Sequence, residues 1–401
     1  MPMAPDSATD PFAPFERPDY RGGSLLNLLS SVIHAHGGQS PHPEARALPA
    51  ARLAKASTLV LLIVDGIGEE QLARYLEAGR GSHFFGAFAR QTLSTVYPAT
   101  TAAAITTLCT GAAPAEHAIL GWHLHLPDLG LVSSILPATT RTDSPLAAPE
   151  FDLRAYLAIP AHLSTTRRKR VCLSYEQIAT SRYSQAGTRW HETGSHATLD
   201  EMVRNTLAAA ARKEPQLLHV YWPEYDTLCH EYGTQHPFTL SHLDEIDAAL
   251  GRLARKLRAL DAALLVCADH GLVDTPLYRR INLSRIPGLY DCLAMAPSGD
   301  TRSVHCFVRP RREAAFLDIV ERELTASCLC LQGESLLSAR LYGPGTEHPA
   351  LRSRVGDYVL LARDDFAFSA PIWGGDGQGM TGNHGGMSAR EMRVPLFALL
   401  P

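Results

Sequence analysis

The sequence predicts an α/β fold with a mostly parallel central sheet that helices cover on both faces. The run over 58–64 is continuous and aliphatic, which is typical of a strand buried on both sides of a parallel sheet. It stops at Asp65-Gly66, and a helical spacing of apolar residues follows over 69–78. The same order of strand and helix recurs later in the chain. This alternation favours a doubly wound α/β core.

The other elements can be justified in chain order. Residues 1–20 are rich in proline and acidic residues and are expected to form a loose arm. Apolar residues at helical spacing predict a short helix over 24–36, which Gly37-Gly38 would end. Further core elements are predicted as strands at 216–221, 262–268 and 394–400 and as a long amphipathic helix at 238–260.

The segment over 278–355 has a different pattern from the rest. Short strand-like stretches at 292–296 and 303–308 surround a turn, and a helical pattern follows over 312–324. We therefore expect an inserted α+β cap here, with 356–360 returning to the core. The predicted organisation is an N-terminal arm and helix (1–45), a catalytic α/β core (46–277 and 356–401) and the cap (278–355).

Composition excludes several classes of protein. The chain has 401 residues, of which 45% are hydrophobic, enough for a large core. With 37 Lys and Arg against 41 Asp and Glu the formal charge is −4, so a partner that is a nucleic-acid polymer is not expected. No apolar run is long enough for a bilayer, the N-terminus does not resemble a secretory signal, and the eight cysteines lack zinc-binding spacing. We expect a cytoplasmic enzyme without a membrane partner; its oligomeric state is not predicted.

Acidic residues and histidines follow the predicted strands. Asp65 and the pair Asp269-His270 come directly after two of them, and Asp226 lies four residues before His230 after a third. His384 lies in a glycine-rich loop. Taken singly, these are ordinary turn, helix, strand-end and loop residues. Because ligands bind where the carboxyl ends of parallel strands converge, the set together predicts one site.

The chemistry of this set indicates divalent metal ions. Carboxylates and imidazoles suit zinc or a similar ion, and six ligands are too many for one tetrahedral site. Two sites of three ligands each would suit displacement at phosphorus, for which paired ions about 3.5–4 Å apart are used. A nucleophile is then expected nearby. Thr100 or Thr101, at the start of a predicted helix, can supply a hydroxyl beside free N–H groups, although plain N-capping is the alternative.

These motifs resemble the alkaline phosphatase superfamily, and most closely its type I phosphodiesterase/nucleotide pyrophosphatase family. The resemblance covers about 58–275 and 375–400 and rests on five motifs in the family's order. They are Val64-Asp65-Gly66, Tyr97-Pro-Ala-Thr-Thr101 with Thr110-Gly-Ala-Ala-Pro-Ala-Glu-His117, Pro223-Glu-Tyr-Asp226-Thr-Leu-Cys-His230, Ala268-Asp269-His270-Gly271 and Gly382-Asn-His384-Gly385.

The resemblance implies an alkaline phosphatase-like sandwich and a role for each motif residue. Thr101 would be the nucleophile and would form a covalent phosphothreonine. One metal ion would be bound by Asp226, His230 and His384, and the other by Asp65, Asp269 and His270 with the Thr101 oxygen. Both ions are usually zinc in this family. The implied partner is a small phosphorylated substrate such as a nucleotide.

The sequence leaves the substrate open. Ala104, one helical turn after Thr101, carries no side-chain donor, so phosphoryl binding is expected from backbone N–H groups such as that of Ala102, or from Arg302 and His305 of the cap. A phosphomonoesterase, a phosphonoacetate hydrolase-like enzyme and a non-catalytic metal-binding protein are the alternatives. A sulfatase is disfavoured because its Cys/Ser-x-Pro-x-Arg motif is absent, and Trp122 is expected to pack in the core or in the wall of the site rather than to stack on substrate.

Overall fold

The computed structural model describes residues 10–146, 152–187, 189–371 and 379–401. The β-strands of these residues are β1 (Thr58–Val64), β2 (Arg90–Ser94), β3 (His123–Leu126), β4 (Leu131–Ser134), β5 (Thr139–Thr140), β6 (Lys169–Tyr175), β7 (Glu192–His196), β8 (Gln216–Trp222), β9 (Ala262–Cys267), β10 (Val273–Asp274), β11 (Arg280–Asn282), β12 (Ser298–Asp300), β13 (Ser303–Cys306), β14 (Cys328–Gln332), β15 (Tyr358–Ala362), β16 (Ala367–Ser369), β17 (Gly382–Asn383) and β18 (Arg393–Leu399).

Helices connect and cover these strands. The α-helices of the same residues are α1 (Leu25–Ala35), α2 (Ala50–Leu53), α3 (Glu69–Glu77), α4 (Thr101–Thr110), α5 (Pro114–His117), α6 (Leu153–Leu157), α7 (Glu176–Ala179), α8 (Arg182–Ala186), α9 (Leu199–Ala210), α10 (Glu224–Tyr232), α11 (Pro237–Arg258), α12 (Glu313–Leu324), α13 (Gly333–Ser338), α14 (Leu351–Val355) and α15 (Ala389–Met392). Short 3-10 helices lie at Pro127–Leu129, His162–Thr165, Leu277–Arg279, Leu283–Arg285 and Tyr290–Cys292. In the described part of the chain, no helix combines the length and apolar character needed to cross a bilayer.

The first sheet has the strand order β2-β18-β9-β1-β8-β6-β7. Its central strands β9, β1, β8, β6 and β7 are parallel, and β18 joins them antiparallel. Every residue of β1, β8 and β9 is buried, as expected for strands covered on both faces. The prediction of a mostly parallel α/β core is confirmed. Its central strands all end at one edge, where the functional residues are found.

The second sheet is antiparallel and has the order β14-β15-β13-β12-β3-β4-β5. It joins strands from the predicted cap to β3, β4 and β5, which come far earlier in the chain. The expectation that 356–360 returns to the core sheet is wrong, because β15 pairs with β13 and β14 instead. The second sheet is therefore larger than an insertion over 278–355 would provide.

Local signals explain where the main helices begin and end. The long helix α11 starts at Pro237, which lacks a backbone N–H at a position where an N–H would have no intrahelical partner, and basic residues lie in its last turn. Its buried residues include Leu243, Ile246, Leu250 and Leu253, which form the apolar stripe that the sequence predicts. The predicted helix at 24–36 is confirmed as α1, which follows Ser24.

Two predicted segments differ from the structure. Residues 10–20 are not a loose arm, because Phe12 is only 4% exposed in an apolar cluster and the Tyr20 hydroxyl donates to the Leu341 carbonyl at 3.0 Å. Residues 1–9 lie outside the described residues. The stretch 292–296 is not a strand, and only an isolated bridge joins Leu293 to Val308. Pro297, which follows it, cannot donate a hydrogen bond to a ladder.

Candidate active site

The predicted Asp and His residues meet at the carboxyl edge of the first sheet. Asp65 follows β1, Asp226 lies in α10 directly after β8, and Asp269 and His270 follow β9. Gly66 makes this close approach possible. It adopts a φ of +80°, and a Cβ there would lie 2.9 Å from Leu272 and 3.0 Å from the Asp226 Cβ.

The deeper group of side chains, which we call the inner triad, consists of Asp65, Asp269 and His270. The His270 Nε2 atom lies 3.4 Å from Asp65 Oδ1 and 3.5 Å from Asp269 Oδ2. All three side chains are buried. The second Asp269 oxygen accepts hydrogen bonds from the backbone N–H of His270 at 3.0 Å and of Gly66 at 3.1 Å, which fixes this carboxylate.

The second group, which we call the outer triad, consists of Asp226, His230 and His384. The Asp226 Oδ2 and His230 Nε2 atoms are 3.0 Å apart, one helical turn from each other. His384 follows β17, and the β10–β17 ladder holds that strand beside the segment after β9. The rings of His384 and His270 stack with centroids 3.9 Å apart, so the two triads form one continuous cluster.

The donor atoms of the two triads fit divalent cations. Among the described residues, several of these buried atoms have no hydrogen-bond partner: Asp65 Oδ1, Asp226 Oδ1, Asp269 Oδ2 and His384 Nδ1. Buried polar atoms are rarely left unpaired, and metal ions would satisfy them. His230 Nδ1 contacts the Gly382 carbonyl at 2.8 Å and His270 Nδ1 the Gly271 carbonyl at 3.2 Å. Each Nε2 is thereby left to face the cluster, as is usual for metal-binding histidines.

Electrostatics also favour cations in this cluster. Burial, together with the neighbouring Asp269 and Asp226, raises the pKa of Asp65 well above its usual value. Burial raises the pKa of Asp269 to about 6. Burial and the adjacent His270 lower the pKa of His384 to about 4, so that its imidazole is neutral and able to bind a metal. Crowded buried carboxylates of this kind are stabilised by a nearby positive charge.

The outer triad contains an ion pair in addition. Burial would raise the pKa of Asp226, but His230 overcomes this effect and lowers it. Burial likewise opposes protonation of His230, yet Asp226 raises its pKa to about 9. A cation bound here would take the place of the proton that these two side chains share.

The helix α4 brings its first residue to the inner triad. Thr101 Oγ1 lies 3.0 Å from His270 Nε2. Thr100 is the N-cap residue, but its hydroxyl donates to Asp300 Oδ2 at 2.6 Å instead of capping the helix. The N–H groups of the first helical turn, including that of Ala102, have no intrahelical partner and lie at the positive end of the helix dipole. An anion beside Thr101 would be attracted to this helix end.

The sequence did not single out Asp300, whereas it predicts Trp122 in the core or in the wall of the site. Asp300 ends β12 and accepts from Thr100 and, at 3.3 Å, from the backbone N–H of Trp122. Trp122 is 42% exposed, so it lies in the wall and not in the core. Both residues line a cleft of about 1500 Å³ that also contains Thr101 and residues of both triads. Pairing of β3 with β12 brings them there, and no local pattern encodes this pairing.

The expected roles of Arg302 and His305 do not fit their positions. Arg302 is fully buried, and its Nε donates to Glu391 Oε1 at 2.9 Å. Its terminal nitrogens donate to the carbonyls of Phe366 and Asp364. His305 is also fully buried and contacts the Val355 carbonyl at 3.0 Å through Nδ1. Neither side chain lines the cleft, because both point into the protein on the second sheet.

Ala104 also lies away from the cleft. It is fully buried in a small cluster with Val96 and Ala103, against Tyr20. The position one turn after Thr101 therefore faces the interior, and its lack of a donor has no direct consequence for the cleft. Ala102 is buried too, so only its backbone N–H can contribute at the helix start.

Comparison with known proteins shows the family of the chain and its fold. Residues 59–387 match the family model "Type I phosphodiesterase / nucleotide pyrophosphatase". A murine ectonucleotide pyrophosphatase/phosphodiesterase 5 structure has a TM-score of 0.62 at 16% identity, with 86% of this chain and 88% of that chain covered. An inactive variant of that protein in complex with AMP has a TM-score of 0.62 at 16% identity and coverages of 85% and 87%.

A second kind of enzyme shares the fold. Phosphonoacetate hydrolase from Sinorhizobium meliloti 1021, in complex with phosphonoformate, has a TM-score of 0.63 at 15% identity, with 86% of this chain and 90% of that chain covered. No curated protein sequence matches the chain significantly. The structural matches confirm the alkaline phosphatase-like fold, and the family model covers most of the chain. The chain therefore belongs to the type I phosphodiesterase/nucleotide pyrophosphatase family of phosphoester hydrolases.

Proposed function

We propose that the protein is a two-metal phosphodiesterase or nucleotide pyrophosphatase with Thr101 as its nucleophile. The observation that carries this proposal is the position of Thr101 Oγ1, at the start of α4 and 3.0 Å from His270 Nε2. A hydroxyl between free helical N–H groups and metal-binding side chains suits attack on an anionic phosphoryl group.

The two triads are proposed to bind one ion each, Asp65, Asp269 and His270 with Thr101 on one side and Asp226, His230 and His384 on the other. Mixed carboxylate and imidazole donors make zinc the expected metal. When bound, such ions lower the pKa of coordinated oxygen nucleophiles and stabilise the charge of a departing oxygen. The protein itself supplies the fixed geometry of the donors.

The reaction would proceed in two displacements at phosphorus. Thr101 Oγ gives its proton to water and forms a bond to phosphorus, while the bond to the leaving oxygen breaks. The covalent phosphothreonine that results still carries the second substituent of the diester, and water then breaks its Thr101–phosphorus bond, which restores the Thr101 hydroxyl. The N–H groups at the start of α4, including that of Ala102, would hold the phosphoryl oxygens throughout.

Two features of the cleft favour a diester over a monoester. The Asp300 carboxylate is bonded to Thr100, next to the nucleophile, and its negative charge would repel the second charge of a monoester dianion. The cleft of about 1500 Å³ offers room for a substituent on each side of the phosphorus. A small phosphorylated molecule such as a nucleotide is the proposed substrate, and the AMP complex of the murine structure supports this choice.

The cleft also bears on the phosphonoacetate hydrolase alternative. Phosphonoacetate is small and multiply charged, whereas the cleft is wide and includes the apolar side chains of Trp122, Ile105 and Phe368. This alternative is therefore the second candidate.

A cytoplasmic location is proposed as well: no disulfide joins the eight cysteines, all of which lie in the described part of the chain.

The test compares an aryl phosphodiester, the matching monoester and phosphonoacetate as substrates of the purified enzyme. We expect the diester to have the highest kcat/KM, chelation to abolish its hydrolysis and added zinc to restore it. Preference for the monoester or for phosphonoacetate would contradict the diester assignment. Hydrolysis that survives complete removal of metal would contradict the two-metal site.

A further inference from the structure

A third group of metal-binding side chains lies away from the cleft. His42, Glu116 and His162, which we call the distal cluster, come from three separate segments. His42 lies between α1 and α2, Glu116 is in α5, and His162 begins a 3-10 helix. One donor atom from each lies within 4.8 Å of the other two. None of the three residues borders the cleft, so the distal cluster is separate from the two triads.

The spacing of the donor atoms suits a zinc ion. His162 Nε2 lies 3.4 Å from Glu116 Oε1, and His42 Nε2 lies 2.8 Å from Glu116 Oε2. Donors around a tetrahedral zinc ion lie about 3.3 Å apart, because the bonds are about 2.0–2.2 Å long. The first separation already has this value. The second is that of a hydrogen bond and would lengthen once a metal ion replaced the shared proton.

The Glu116 carboxylate is buried without a strong positive charge beside it in the described part of the chain. Its side chain is 5% exposed, and within the described residues its ion pairs are only with His42 and His162. The buried carboxylate has no Lys or Arg partner among these residues, only the two imidazoles. Burying such a charge is costly unless a cation compensates for it.

An unpaired nitrogen points to the same conclusion. His162 Nε2 is buried and has no hydrogen-bond partner within the described residues. Its nearest carboxylate oxygen, Glu116 Oε1, lies beyond good hydrogen-bond distance at 3.4 Å. The other Glu116 oxygen already accepts from His42 and from the Ala113 N–H, each at 2.8 Å. A metal ion between His162 Nε2 and Glu116 Oε1 would give this nitrogen a partner and leave the hydrogen bond from the Ala113 N–H in place.

We propose that the distal cluster binds one zinc ion, with His42, Glu116 and His162 as ligands, and that this ion fastens the N-terminal segment to the core. Two imidazoles and one carboxylate are a common ligand set for zinc. His162 is 23% exposed, which gives water access to the remaining position. Binding would release the proton between His42 and Glu116 and join three segments that are far apart in the chain.

The test measures zinc per chain in the whole enzyme, equilibrated with zinc and freed of unbound metal, by plasma mass spectrometry. His162→Ala is expected to contain one zinc ion fewer than the wild type. Glu116→Gln, which keeps the shape of the side chain and removes its charge, is expected to show the same loss. His83→Ala removes an exposed histidine outside any metal-binding group and should keep the wild-type content.

The difference between variant and wild type separates this proposal from the proposed function. If the two triads bound no metal, the wild type would contain one zinc ion and His162→Ala none, and the distal site would still be supported. Zinc should also raise the Tm of the wild type by more than that of either variant, because only the wild type gains the distal ion. Equal zinc content in wild type, His162→Ala and Glu116→Gln would overturn the proposal.

Discussion

The two sheets contribute to the cleft in different ways. The parallel first sheet places Asp65, Asp269 and His270 directly after buried strands, in a group held by backbone hydrogen bonds. The antiparallel second sheet contributes Asp300 at the end of β12, and the half-exposed Trp122 lies next to β3. The first group has the fixed geometry that bond-making steps need. In the second group Trp122 is exposed to the cleft, a position from which a side chain can contact a substrate. We infer that chemistry and selectivity are divided between the sheets.

The largest effect is expected from Thr101, the proposed nucleophile at the start of α4. Thr101→Ala removes the attacking oxygen, so kcat should fall by at least about 10³-fold. Zinc content should fall little, since the six side chains of the two triads, which are the proposed metal ligands, are unchanged. Thr101→Ser, which keeps a hydroxyl, is the control and should retain measurable turnover. Turnover near the wild-type rate in Thr101→Ala would direct attention to Thr100 instead.

A large effect on stability is expected from Arg302, between β12 and β13 of the second sheet. Arg302→Met leaves Glu391 charged and buried without its partner, which should lower the free energy of unfolding by about 3–5 kcal/mol. Urea unfolding measures this change. KM of the folded variant should stay near the wild-type value, because Arg302 does not line the cleft. A raised KM with unchanged stability would mean that Arg302 does contribute to substrate binding.

Asp300→Asn should change selectivity more than rate. The substitution keeps the size of the side chain and removes its negative charge beside Thr100. The kcat/KM for an aryl monoester should then rise about tenfold relative to the diester. Measuring both substrates on the same preparation cancels errors in active-enzyme concentration. An unchanged ratio would show that Asp300 only positions Thr100 and does not discriminate by charge.

The smallest effect is expected from Trp122→Ala. Loss of an aromatic surface at the cleft wall should raise KM for an aryl diester about two- to tenfold and leave kcat nearly unchanged. Phe238→Ala is a matched control, because Phe238 is 60% exposed and does not line the cleft. An effect on kcat as large as that on KM would mean that Trp122 helps to position Thr101. That result would contradict the inference that chemistry and selectivity are divided between the sheets.

The sequence predicts four strands of the first sheet, β1, β8, β9 and β18, for a physical reason, whereas β2, β6 and β7 are not recognised from their residues. Buried parallel strands are continuous aliphatic runs, and the polar residue that ends each run, such as Asp65 or Asp269, stands out. The second sheet could not be predicted in this way. Its strands pair across long stretches of chain, as β3 does with β12. No local sequence pattern therefore predicts which residues surround Asp300 and Trp122. Likewise, the partner of Arg302 lies 89 residues further along, at Glu391.

The most direct test of the central claim is to quench the enzyme with acid during turnover of an aryl phosphodiester and to measure its intact mass. We predict a mass gain equal to the retained phosphoester, located on the peptide that contains Thr101. The gain should be absent from Thr101→Ala and from metal-free enzyme. An adduct on another residue, or the same adduct in Thr101→Ala, would contradict the claim that the first sheet and α4 together hold the nucleophile.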